Sequence, residues 1–345
     1  MTPRQLDASN LVGEKLGRWK IIHKREKTIE DNSGAFSSCY EVEDDDGNIG
    51  FLKAFNIRYA LQAVGNTMDR LHEMTERFTY ERDLHSFCRE RGMNRVVAAI
   101  DHGEYAKSSG DVPVPYLVFE VAKGNLKNVN ILEDPDIAWK LSAFHGALVG
   151  TSQLHQERIA HQDIKPSNIL IFGSMHSKIC DLGSATKSDL GFRWNQPEDM
   201  LTDLRYAPIE LLYHYYSSDW DTRRFGADLF MLGGLLSYMV SGITVLSGIL
   251  SKLPQEQHWR LNQTSFKEAL PNIMMAYHET IREIEVEIPE PIRNSIVEVI
   301  YQLSYPLPEE RGNPPKIIGK VAKYSLRRYI SIVDRIAKEY RVLMR

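Results

Sequence analysis

The stretch His161-Gln162-Asp163-Ile164-Lys165-Pro166-Ser167-Asn168-Ile169-Leu170-Ile171 decides how this chain is read. An acid, a base and an amide stand at fixed offsets ahead of an apolar triplet that reads as a strand. Thirteen residues beyond Asn168 comes Asp181-Leu182-Gly183, a second carboxylate with a glycine two positions on. Two aspartates and an asparagine spaced in this way can hold Mg2+ on a nucleotide and aim a hydroxyl at its terminal phosphate, because that hard ion prefers oxygen ligands.

Upstream the chain is strand-rich with one helix. Residues 19–22, 38–42 and 49–55 read as strands, and Asp44-Asp45-Asp46-Gly47-Asn48 between the last two contains the Asp-Gly hairpin signal. Met68, Leu71, Met74, Phe78, Leu84 and Phe87 recur at helical spacing over residues 67–89. Two further strands are expected at residues 96–100 and 116–121, with residues 108–111 as a loop tip. After Lys123-Gly124-Asn125 the character turns helical, with an apolar-periodic helix over residues 139–155 and an all-round apolar one over residues 227–236. The parse is therefore a small β-rich domain followed by a larger helical one, and clefts between domains are where ligands usually bind.

The length of 345 residues suits one large or two modest domains, and 43% hydrophobic with 26% charged residues is ordinary for a globular protein. Cys39, Cys88 and Cys180 are widely separated and odd in number, which argues against a disulfide framework or a zinc site. No run of about 18 apolar residues suggests a membrane span, and the first residues lack the apolar core of a signal peptide. The expected location is cytoplasmic. The total charge of −4 is unevenly spread: residues 316–345 carry nine Lys/Arg against two Asp/Glu, leaving −11 for the remainder. Ile317, Ile318, Val321, Ile332, Val333 and Ile336 could form an apolar stripe that packs this segment on the protein itself. The sharper alternative is docking of its basic face on an acidic partner or a membrane surface. No nucleic-acid partner is expected.

These motifs resemble those of the eukaryotic-type Ser/Thr protein kinases, over about residues 16–311. The catalytic loop His-Arg-Asp-x-x-x-x-Asn and the metal loop Asp-Phe-Gly are each present with one substitution, Gln162 for Arg and Leu182 for Phe. The resemblance implies an α+β fold of two lobes, a small β-rich N-lobe and a larger, mainly helical C-lobe. Its expected divisions are an N-terminal extension (1–15), the N-lobe (16–121), the C-lobe (122–315) and a basic helical extension (316–345). It implies transfer of the γ-phosphate of ATP to Ser or Thr of protein substrates, with Mg2+ or Mn2+, and with autophosphorylation. By resemblance, Asp163 would orient the acceptor hydroxyl and take its proton, Lys165 would steady the γ-phosphate, and Asn168 and Asp181 would hold the metal. Lys165, two places after Asp163, matches Ser/Thr rather than tyrosine kinases. His161 would be structural, its ring bonded to backbone near Asp181.

Lys53, closing Gly50-Phe51-Leu52-Lys53, stands for the strand lysine, and Glu81 for its helix partner. The segment Asn32 to Tyr40 stands for the glycine-rich loop, of whose three glycines only the middle one, Gly34, is present; the resemblance implies that Asn32, Phe36 and Cys39 would lie with it at the nucleotide. Phe119 would guard the adenine pocket, and the Glu120–Ala122 backbone would bind adenine. Tyr206-Ala207-Pro208-Ile209-Glu210 resembles the end of an activation segment whose Glu210 pairs with Arg311, and Asp228 would anchor the catalytic loop. These last features separate protein kinases from small-molecule phosphotransferases.

Three departures bear on regulation. Gln162 cannot make the charge-assisted bond to a phosphorylated loop residue, so activity without phosphorylation of Thr186, Ser188 or Thr202 is expected. Leu182 keeps the apolar role of Phe. Asp203 occupies a place usually held by threonine. Two other readings stand beside the kinase: a scaffold that binds nucleotide or partners without turnover, and a kinase of a small-molecule alcohol.

Overall fold

A computed structural model of the chain describes residues 8–25, 37–57, 67–108, 111–132, 135–173, 176–189, 202–261, 263–315 and 322–343. The chain divides into two compact units, Met1–Gly92 with Val97–Val121, and Met93–Val96 with Ala122–Arg345.

The smaller unit is an antiparallel sheet with one long helix. The strands are β1 (Lys15–Leu16), β2 (Trp19–Lys24), β3 (Ser37–Glu43), β4 (Ile49–Phe55), β5 (Ala99–Tyr105) and β6 (Val114–Glu120), in the order β1-β2-β3-β4-β6-β5. Between β3 and β4 the Asp44 carboxylate accepts from the amides of Asp46 and Asn48, at 3.0 and 2.8 Å, which sets the hairpin register. Alternation puts Trp19, Ile21, Tyr40, Val42, Leu52, Ala54, Tyr116 and Val118 on one buried face. Gly50 is required within it, because a Cβ there would press on Val118, Trp19 and Val42. Residues ahead of β1 join this core through Ala8 and Leu11 instead of standing apart as an extension.

Helix α1 (Thr67–Glu90) buries Met74, Phe78, Leu84 and Cys88, and with them Glu81 and His85. Met68, expected on the apolar face, is exposed instead. The strand expected at residues 96–100 begins later, at Ala99. Val96, itself part of the larger unit, makes a lone parallel bridge to Ile179 of that unit, and beyond the buried Ala99, β5 alternates exposed and half-buried positions along the polar sequence AIDHGEY. Its core-facing residues are too few for an apolar run to mark it.

The larger unit is mainly helical: α2 (Leu126–Leu132), α3 (Ile137–Gln156), α4 (Ile209–Leu212), α5 (Trp220–Ser241), α6 (Val245–Lys252), α7 (Phe266–Glu287), α8 (Arg293–Leu303) and α9 (Arg327–Leu343). Among the described residues, short strands accompany them: β7 (Gly124–Asn125), β8 (Ile159–Ala160), β9 (Ile169–Phe172), β10 (His176–Ile179) and β11 (Thr186–Lys187). Asp136 and Asp219 cap α3 and α5, each accepting an amide of the first turn. Gly146 lets α3 lie directly on β10, where a Cβ would collide with Ser177. Helix α5 buries most of its residues, and among the described residues no single helix is long and apolar enough to cross a membrane.

The basic C-terminal segment is not helical throughout. Residues 322–326 form a turn with Tyr324 and Leu326 buried, and α9 begins only at Arg327. It packs on α3, burying Tyr329, Val333 and Ile336, while Ile332 is half-buried. Several of its cations are engaged within the unit: Arg328 with Glu298 and Gln302, Arg341 with Ser142, and Lys338 with Asp334. Ile317, Ile318 and Val321 lie outside the described residues.

Candidate active site

In the larger unit two ladders bracket the decisive loops. β8, which ends just before His161, pairs with β11, which follows the Asp181 loop; β9, which follows Asn168, pairs with β10, which precedes Asp181. The two loops are thus pinned at both ends by antiparallel pairs, and the Cys180 amide ties them again by donating to the Asn168 carbonyl at 2.9 Å.

The carboxylate of Asp228 on α5 is buried against the start of the His161–Asn168 loop. It accepts from the amides of His161 and Gln162 at 2.7 and 2.8 Å, and His155 Nε2 stands 2.8 Å away. The His161 ring bridges to the Cys180 carbonyl at 2.9 Å. Gln162 takes a left-handed φ of 67° and is fully buried. Its Oε1 accepts from Arg224 at 3.0 Å, and its Nε2 donates to the Arg224 carbonyl at 3.0 Å and to Asp228 Oδ1 at 3.3 Å. Asp181 is also left-handed, with φ 65°, a conformation that non-glycine residues keep only where surroundings enforce it. Leu182 beside it is fully buried.

The Asp163 carboxylate is the centre of this frame. Asn168 Nδ2 donates to its Oδ2 at 2.9 Å and to its backbone carbonyl at 2.8 Å; Lys165 Nζ is 2.8 Å from Oδ2; the Asp203 amide donates to Oδ1 at 3.2 Å. Burial pulls the Lys165 ammonium down, but the carboxylates of Asp163, Asp203 and Asp181 outweigh it and hold it above its ordinary range. Burial likewise pushes Asp203 up. The hydrogen bonds from Arg205 and the charge of Lys165 reverse this and leave the acid below the usual carboxylate range.

Of the three loop hydroxyls, Thr186 is buried in β11, Ser188 Oγ accepts from Arg158 Nε at 3.3 Å, and Thr202 Oγ1 lies 3.7 Å from Met231 Sδ. Further along, Arg311 is fully buried and forks onto Glu210 with two contacts of 2.8 Å. Its remaining donors reach the carbonyls of Tyr305, Gly226 and Pro306, so every N–H of the guanidinium is satisfied.

In the smaller unit Lys53 Nζ lies 2.7 Å from Glu81 Oε1, joining β4 to α1. Cys39 is the cross-strand partner of Lys53. Phe119 is buried on β6, and its ring meets the buried His85 edge-on at 5.0 Å. Glu120 still pairs with Gly50 in the ladder, and Ala122 lies beyond the last pair. Asn32, Gly34 and Phe36 lie outside the described residues.

Motif spacing did not single out four residues of these clusters: His85, His155, Arg205 and Arg224. Two carried a usable signal. Arg224 precedes Asp228 by one helical turn, and His85 follows Glu81 by the same interval.

A protein kinase domain family model matches residues 33–320. The chain is 34% identical over 192 residues to the inactive serine/threonine-protein kinase PLK5 of Mus musculus, covering 53% of this chain and 28% of the relative. It is 33% identical over 263 residues to the receptor protein-tyrosine kinase CEPR2 of Arabidopsis thaliana, covering 70% and 24%. A probable cell division protein kinase of Encephalitozoon cuniculi (strain GB-M1) is 25% identical over 235 residues, covering 67% and 66%. The chain spans 28% and 24% of the length of the first two of these relatives. With the family model matching most of its length, a β-rich smaller unit and a helical larger one, this chain belongs to the protein kinase domain family.

Proposed function

We propose that the chain is an active protein kinase that moves the γ-phosphate of ATP to a Ser or Thr hydroxyl of a protein substrate, with autophosphorylation. The observation that carries this reading is the fixing of the Asp163 carboxylate by Asn168, Lys165 and the Asp203 amide. Three bonds set its plane. Among the described residues Oδ1 accepts only one of them, so the same oxygen can receive the acceptor hydroxyl and its proton. Lys165, held charged, suits the γ-phosphate.

The donor set fits a hard divalent ion. Asn168 commits its Nδ2 to Asp163, which leaves the amide oxygen as its ligand atom, and Asp181 brings a carboxylate. Among the described residues no three His, Cys, Asp or Glu gather as a metal cluster, so phosphate oxygens and water would complete the shell. When bound, Mg2+, or Mn2+ in its place, supplies neutralisation of phosphate charge. Lys53, oriented by Glu81, would hold the α- and β-phosphates. The Glu120–Ala122 backbone would receive adenine, with Phe119, Cys39 and the segment of Asn32, Gly34 and Phe36 around it. A cytoplasmic site of action is part of the same proposal.

The test is incubation with γ-labelled ATP and Mg2+, comparing the unmodified chain with Asp163→Ala and Asp181→Ala. Transfer to itself or to a generic protein acceptor, lost in both variants, is expected. Phosphatase-treated protein should transfer at the same rate, because the inward Gln162 offers a phosphate no cation. The rival reading is a nucleotide-binding scaffold, favoured by the relative named inactive. Nucleotide binding without transfer to any acceptor would decide for it.

A further inference from the structure

The carboxylate of Asp203 is built into the same cluster, although the reading above uses only its amide. Its side chain is 5% exposed, and Arg205 closes on it: Nε donates to Oδ1 at 2.9 Å, Nη2 to Oδ2 at 2.7 Å, and the Arg205 amide to Oδ1 at 3.1 Å. A planar fork on both oxygens fixes the orientation of the acid. On the other side, the Asp203 amide holds Asp163 Oδ1 at 3.2 Å, and Asp203 Oδ2 stands 3.8 Å from Lys165 Nζ. That distance is too long for a hydrogen bond, so the acid acts on Lys165 through charge. Lys165 therefore lies between two carboxylates. Asp163, Lys165, Asp203 and Arg205 together balance two negative charges against two positive ones.

We propose that Asp203 and Arg205 act as one positioning unit for phosphoryl transfer. Asp203 aims Asp163 through its amide and tethers Lys165 through its carboxylate. Arg205 cancels the negative charge that Asp203 would otherwise set against the phosphate being transferred. The inference rests on the reading of Asp163 as the acceptor-orienting base. It makes the value of Arg205 conditional: the arginine matters because an acid, and not a neutral residue, stands at position 203.

A double-mutant cycle on the full chain tests this, with dephosphorylated casein as acceptor and kcat and KM for ATP measured separately. Arg205→Gln is expected to lower kcat about tenfold with KM for ATP unchanged. In an Asp203→Thr background the same substitution should change kcat by less than about twofold. Arg205→Lys, which keeps the charge and loses the fork, should fall between the unmodified chain and Arg205→Gln. An equal cost of Arg205→Gln in both backgrounds overturns the proposal. So does an Arg205→Lys chain as slow as Arg205→Gln, or an Asp203→Thr chain without transfer. Transfer that Asp163→Ala abolishes but position 205 leaves untouched sinks this inference alone. No transfer by the unmodified chain sinks the kinase reading and this inference with it.

Discussion

Gln162 sits between a buried cation and a buried anion. Its carbonyl faces the Arg224 guanidinium, and its amide faces Asp228, all three fully buried. The side-chain dipole is aligned with both charges, so a neutral residue does here what a charged one could not. An arginine at this place would set two guanidinium groups against each other in a fully buried site, where bulk solvent screens them little. Gln162→Arg should therefore destabilise the protein by roughly 2–4 kcal/mol. The penalty should shrink in an Arg224→Ser background, as read by denaturant unfolding of the four variants. A penalty independent of residue 224 would show that the glutamine is not matched to the arginine. From sequence alone Gln162 is a missing charge; the partner that explains it is Arg224, sixty-two residues away.

In helix α1 the buried stripe is Met74, Phe78, Glu81, His85 and Cys88, spaced by threes and fours. Two of its five members are polar, so the apolar pattern marked the helix correctly but understated its inner face. Burying a carboxylate in that stripe is costly unless it is paired, and Lys53 on β4 provides the pair. Because the two side chains serve as one unit, their substitutions should not add. Lys53→Met is expected to lower kcat/KM for ATP by about a hundredfold. Glu81→Gln should cost less, and the double variant should be no slower than Lys53→Met alone, as measured by steady-state transfer. Additive losses would mean that Glu81 does not work through Lys53. Strand β5 is the contrary case. Its AIDHGEY run carries no strand-like apolar pattern, and pairing with β6 defines it. The Val-Val pair before it, which looked like the strand, is buried without a ladder of its own.

Across the larger unit the Glu210–Arg311 fork joins two segments 101 residues apart. Removing Arg311 would leave Glu210 buried with an uncompensated charge. Arg311→Ala is therefore expected to cost about 3–5 kcal/mol and lower Tm by roughly 10 °C, followed by circular dichroism on heating. A shift below about 2 °C would show the pair to be dispensable. What the sequence determined by itself was everything carried by local spacing: the Asp163–Asn168 and Asp181–Gly183 motifs, the β3–β4 hairpin, the long helices and the family. Their residues are near neighbours in the chain, so their types and intervals already contain the chemistry. The tertiary structure alone decided which distant side chains meet. It set Arg224 against Gln162, Lys165 beside Asp203, His155 against Asp228, and the basic helix α9 against α3. Electrostatic pairing inside a fold depends on separation in space and on burial, and neither is written in the interval between two residues.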